Sequence, residues 1–212
     1  MTESNDVTRR RILSGFCFAA LALLFLSNPL THLIARGGPA SPARIAASGF
    51  VVPFTMVLLV GVVFGIAELL RARADRTGLI GGALTIAGWT VGCRIIVLGQ
   101  LESLLQSGVT GVPADTLDKM FTAAPVVWLS IVPMGLMFPL GLIVLGAALV
   151  ATAPVHRAIG ALLVAGGVLF PVGRAVRLEW ALGACDVALG LSFALLGWEV
   201  LRRRESLALR PA

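Results

Sequence analysis

Apolar residues along this chain come in long blocks, at roughly 12–34, 49–70, 79–101, 124–151, 156–177 and 180–201. A helix rises about 1.5 Å per residue, so about 20 apolar residues cross a hydrocarbon layer of about 30 Å. Inside such a layer every backbone N–H and C=O must be satisfied within the segment, so each block predicts a helix. The pattern predicts an all-α membrane protein: a six-helix transmembrane bundle over 12–201, with short tails at 1–11 and 202–212. The fourth block is the least regular. Pro125, Pro133 and Pro139 are expected to kink it or break it near its start.

Charge then orients the bundle. One set of block flanks carries Arg9, Arg10, Arg11, Arg71, Arg73, Arg76, Arg157, Arg202, Arg203 and Arg204. The opposite set carries Arg36, Arg44 and Lys119, with Arg177 at a helix edge. Positive flanks stay on the cytoplasmic side, so both termini are expected there, in a cell inner membrane. The stretch "TRRRILS" (8–14) has the look of a twin-arginine export signal. The apolar block behind it is too long for such a signal and no A-x-A cleavage site follows, so it reads as the flank of a retained first helix. On the outer side, "RGGPASPAR" (36–44) is a connection. The longer outer segment contains "PADTLDKMF", a short amphipathic helix that lies on the membrane or caps a cavity.

Composition sharpens this picture in a few places. The chain is 58% hydrophobic and 13% charged, half the charge of a typical soluble domain at about 25%. Its net charge of +6 is explained by the membrane flanks and implies no nucleic acid. Lys119 is the only lysine, which excludes a Schiff-base lysine within a helix. Tyrosine is absent, so an interfacial aromatic belt falls to Trp89, Trp128, Trp180 and Trp198. Cys17, Cys93 and Cys185 have no CxxC spacing and read as small buried hydrophobes.

An internal echo runs through the middle of the chain. Pro53 and Gly61 recur as Pro133 and Gly141 at the same separation, and "RTGLIGGALTIAGW" is answered by "HRAIGALLVAGGV". A helical hairpin repeated in one orientation would produce this, as would chance likeness between Gly- and Ala-rich helices. The stretch "FPLGLIVLGAALVATAPVHRAIGALLVAGGVLFPVGR" also resembles a pattern found in bacterial polytopic integral membrane proteins of unassigned function. In these an apolar hairpin turns on a short Pro- and Arg-containing cytoplasmic loop. The resemblance implies a bacterial inner-membrane protein and carries no catalytic residue to this chain.

Candidate chemistry lies in the few polar residues inside the blocks. By helical rise Arg94 lies about 22 Å and Arg174 about 24 Å past the cytoplasmic start of their helices, with Asp186 about 9 Å below the outer end of the last one. All three are expected at one level in the outer third, with Asn28 and His32 close to it and Glu102 and Glu179 nearer the surface. An arginine at the bilayer centre costs at least about 2.5–3.5 kcal/mol, so both should point inward and find partners, Asp186 first. Asp186 shares a stripe with Gly190, Phe193 and Gly197, where a neighbouring helix can approach closely. Glu68 and Glu199, one turn from Arg71 and Arg202, read as surface ion pairs.

Three functions remain open. The first is an outward-facing polar pocket that binds or transports a small anion or lipid headgroup, lined by Arg94, Arg174, Asp186, Asn28, His32, Glu102 and Glu179. The second is a structural or accessory subunit in which these charges clamp helices. The third is a membrane-embedded enzyme acting on a lipid or isoprenoid, with a carboxylate as acid or base and His32 as helper. The enzyme is the least favoured. No metal-ligand cluster, GxSxG elbow, P-loop or haem-spaced histidine pair is present, so no catalytic residue, metal or cofactor is assigned. The expected partners are the lipid bilayer and an anionic small molecule or lipid. No oligomeric state follows from the sequence.

Overall fold

The structure is a computed structural model that describes residues 8, 11–25, 42–106, 119, 125–176 and 178–208. Side chains are described within these ranges except at 42–53, 55–56, 93–106, 125–134, 174–176, 179 and 203–208. The described residues form helices and turns and no strand. The first helix is α1, Arg11–Phe25. Pro42–Gln106 is one helical run of 65 residues broken at Ala74 (φ −152°, ψ 47°), which divides it into α2 (42–73) and α3 (75–106). Then come α4, Pro125–Thr152, α5, Arg157–Val176, and α6, Glu179–Ala208.

The reversal at Ala74 is sharp. A Cβ added to Gly82 would stand 2.8 Å from Val63 Cγ1, and one on Gly78 would meet Leu70 and Ala67. On a straight helix residues 63 and 82 would be about 28 Å apart, so α2 and α3 lie antiparallel as a hairpin. The polar link between the second and third blocks is thus helical to within one residue of the turn. The run "RARADR" holds no glycine or proline, and its arginines and alanines are among the best helix formers. A difference also appears in α4, which runs unbroken over Pro125–Thr152. Pro125 takes the first helical position, where its missing N–H costs nothing. Pro133 and Pro139 deprive the carbonyls of Leu129 and Gly135 of their usual donors, and the helix carries them.

The other turns are built from local hydrogen bonds. At the end of α4, Ala153 adopts φ 44° and its N–H donates to Leu149 O at 3.0 Å. His156 starts α5, its Nδ1 accepting from the Ala158 N–H at 3.3 Å. Between α5 and α6, the Leu178 N–H reaches back to Gly173 O at 3.1 Å. The Arg73 guanidinium donates to Thr152 O, tying the α2–α3 turn to the end of α4.

Helices adjacent in sequence pack antiparallel through glycines. A Cβ on Gly61 would strike Cys17 of α1, and one on Gly88 would strike the Phe138 backbone of α4. Gly146 and Gly160 face one another between α4 and α5, each Cβ meeting the other's carbonyl oxygen at 2.7 and 2.6 Å. Gly166 sits on Leu189 of α6. The last helix returns to the first: Gly15 faces Leu201, and Gly197 faces Phe18 and Ala19. One apolar core results, with Phe18, Leu21, Leu59, Ile66, Phe138, Leu142, Leu163, Leu189 and Phe193 buried.

The echo noted in the sequence meets mixed geometry. The turns at Ala74 and Ala153 lie close to the same spacing as Gly61 and Gly141, and both of these glycines pack on the preceding helix. Gly81 and Gly88 face the following helix, however, whereas Gly160 and Gly167 face the preceding one.

Outside the core the molecule is apolar again. Phe16, Leu23, Val57, Phe64, Leu79 and Leu140 are all exposed. Threonine hydroxyls on these helices donate to the preceding turn of their own backbone, Thr90 to Ile86 O at 2.8 Å and Thr85 to Gly81 O at 2.7 Å. Exposed charge gathers at one end, where Arg11, Glu68, Arg71, Arg73, Asp75, Arg76, Arg157 and Arg202 lie. Gly15 against Leu201, Gly65 against Ser14 and Arg73 on Thr152 show that these helix ends are neighbours. Two helical segments, Gly135–Thr152 and Trp180–Arg202, are long and apolar enough to cross a membrane.

Candidate functional site

Of the seven residues expected at the site, Asn28 and His32 lie outside the described residues. Arg94 and Glu102 stand on α3, Arg174 in the last turn of α5 and Glu179 at the first position of α6, with side chains outside the description. Asp186 is half-buried on α6 and engaged in a polar or electrostatic interaction.

On α3 the inward stripes are Gly81, Thr85 and Gly88 towards α4, and Gly78 and Gly82 towards α2. The exposed stripe is Leu79, Ile80, Ala83, Ala87 and Thr90. On α6, Asp186 stands seven before buried Phe193 and eleven before Gly197, which packs on α1.

Depth separates Asp186 from Arg174. Gly173 lies against Leu182, Gly166 against Leu189, and Cys185 Sγ bonds Gly166 O at 3.3 Å. This pairing sets Asp186 opposite residues 165–169, five to nine residues inward of Arg174, or about 8–13 Å. The common level expected from counting residues is therefore replaced by a short ladder. Arg174 and Glu179 flank the α5–α6 turn, and Asp186 stands below them.

Two features had no part in the sequence reading. Trp89, Phe138 and Phe170 form an aromatic ladder across α3, α4 and α5, with ring centroids 4.9 and 5.0 Å apart. Trp89 Nε1 is buried there without a hydrogen-bond partner among the described residues. The three residues lie on different helices, so no local spacing announces them. Ser192 is fully buried and donates to Ile159 O at 3.0 Å, a link between α6 and α5.

The remaining polar readings are simpler. Cys17 and Cys185 are buried cysteines, and the Cys185 thiol donates to Gly166 O. Glu68 and Arg71 form an exposed pair at 3.6 Å. Among the described residues no group of His, Cys, Asp or Glu is placed to hold a metal ion. Comparison with known protein families, curated proteins and solved structures finds no match for the chain.

Proposed function

We propose that this chain is a six-helix integral membrane protein with both termini cytoplasmic, and that it binds the anionic group of a small molecule or lipid headgroup at its outer end. Support for the membrane setting comes from α6. Its exposed stripe is Trp180, Ala184, Val187, Leu191, Leu195 and Trp198, apolar throughout, with the two tryptophans 67% and 66% exposed. They are separated by about 27 Å along the helix, close to the thickness of a hydrocarbon core. Indoles favour the two membrane interfaces, and water would not tolerate such a face. The arginine-rich end, next to Trp198, is then the cytoplasmic one.

The binding site is supported by the placement of Arg174 in the last turn of α5 and Glu179 at the start of α6, on either side of one turn at the opposite end. A guanidinium there, with Glu179 across the turn and Asp186 further inward, can exchange an internal acceptor for an entering anion through charge-assisted hydrogen bonds. Arg94, on α3, belongs to the proposed outer polar set. Asn28, His32 and Glu102 complete the proposed outer polar set.

Thermal melts of purified wild type, Arg174→Met and Arg94→Met, with inorganic phosphate and a panel of small organic anions, test this. An anion that stabilises wild type and Arg94→Met but not a still-cooperative Arg174→Met supports the site. If no anion shifts wild type and Arg174→Met collapses, the charges are helix clamps and the protein is a structural subunit.

A further inference from the structure

We propose that the seam where α6 closes on α1 holds an anionic phospholipid from the leaflet at the arginine-rich end. The inference rests on the membrane reading above but uses neither Arg174 nor the outer end. The two helices cross at glycines, a Cβ on Gly15 lying 2.9 Å from Leu201 Cδ2 and one on Gly197 lying 2.7 Å from Phe18 Cβ. So close a crossing leaves a furrow on the outside, bounded by residues that stand away from it. Phe16 and Ala19 on α1 are exposed, as are Leu191 and Trp198 on α6.

Charge decides which lipid fits. At the mouth of the furrow Arg11 and Arg202 are exposed, and neither is ion-paired among the described residues. Among residues with described side chains, this end carries six arginines, Arg11, Arg71, Arg73, Arg76, Arg157 and Arg202, and three carboxylates, Glu68, Asp75 and Glu199. Glu68 is held by Arg71, and Arg73 is spent on Thr152 O. A guanidinium binds a phosphodiester through paired N–H donors. A zwitterionic headgroup would bring its ammonium into the same arginine field, whereas an anionic one would not. The Trp198 indole stands where the ester region would lie, and an acyl chain would follow Phe16, Ala19 and Leu191 towards the core of the bilayer.

The test uses full-length protein in detergent, with buried Cys17 and Cys185 as reporters in a thiol-dye melt. Phosphatidylglycerol at about 100 times its half-saturating concentration should raise the Tm by about 5–10 °C, and phosphatidylcholine by less than about a third of that. The double variant Arg11→Gln/Arg202→Gln should lose the phosphatidylglycerol increment, while Arg71→Gln/Arg76→Gln keeps it. Equal responses to the two lipids, or equal loss in both double variants, would overturn the proposal. If the first double variant does not melt cooperatively, the wild-type increment is followed as salt rises. A decline supports arginine–phosphate contact, and invariance overturns it. Protein that stays monodisperse without detergent would sink the membrane reading itself, a different failure.

Discussion

Two glycines four residues apart on α3 make opposite predictions for the same substitution. At Gly88 an added Cβ collides with the backbone of Met137 and Phe138, while at Gly92 nothing among the described residues lies within 4 Å. Alanine improves helix propensity by roughly 0.8–1.0 kcal/mol at either site. Gly92→Ala should therefore stabilise by about 0.5–1 kcal/mol. At Gly88 the obstacle is backbone, which cannot rotate aside, so α3 and α4 must separate. A gap of about 0.5–1 Å forfeits a quarter to a half of each contact, at about 0.1–0.2 kcal/mol per atom pair. The crossing also includes Thr85 against Gly141 and Gly81 against Leu145. With on the order of 30 atom pairs affected, the loss is about 1–3 kcal/mol, the usual range for overpacking. After the propensity gain, Gly88→Ala should still be net destabilising, and its Tm should fall about 4–10 °C below that of Gly92→Ala. Trp89 lies beside Gly88 and its ring centroid is 4.9 Å from that of Phe138, so its fluorescence reports the crossing directly during the melt. A Gly88→Ala protein that melts at or above Gly92→Ala would refute the α3–α4 packing described here.

Two further predictions concern other parts of the chain. Ala153 holds φ 44° at the end of α4, a conformation glycine adopts freely, so Ala153→Gly should raise stability by about 0.5–1 kcal/mol, read from chemical or thermal denaturation. In a cysteine-free background, single cysteines in 36–44 and near 115–119 should react with an impermeant thiol reagent in intact cells, while those at 72–76 should not. The reverse pattern would invert the proposed orientation and place Arg174 on the cytoplasmic side.

The helices were legible because a long apolar block reads as helix wherever its backbone must be satisfied within the segment, and hydropathy reports such blocks directly. Their ends were less so. The reversal at Ala74 has no glycine or proline to mark it, and α6 runs through Arg202, Arg203 and Arg204 to Ala208 because arginine is a good helix former on a solvated face. Pro133 and Pro139 suggest a break to anyone reading local rules, yet a helix packed on both sides can carry an unpaired carbonyl. Arg174 and Asp186 look level when depth is counted along the chain. What separates them is the register of α5 on α6, and that register is defined only by the packing of Gly166 on Leu189 and Gly173 on Leu182.

Closure of α6 on α1 also has a consequence for biosynthesis. Gly15 is made long before its partner Leu201. At about 5–20 residues per second, the intervening chain takes roughly 10–40 s to synthesise. Throughout that interval one flank of α1 stands without its permanent neighbour, although Cys17 and Phe18 can already dock on α2. That flank of α1 is closed only once α6 has been made. Truncation shortly before α6 should leave an assembled but open intermediate.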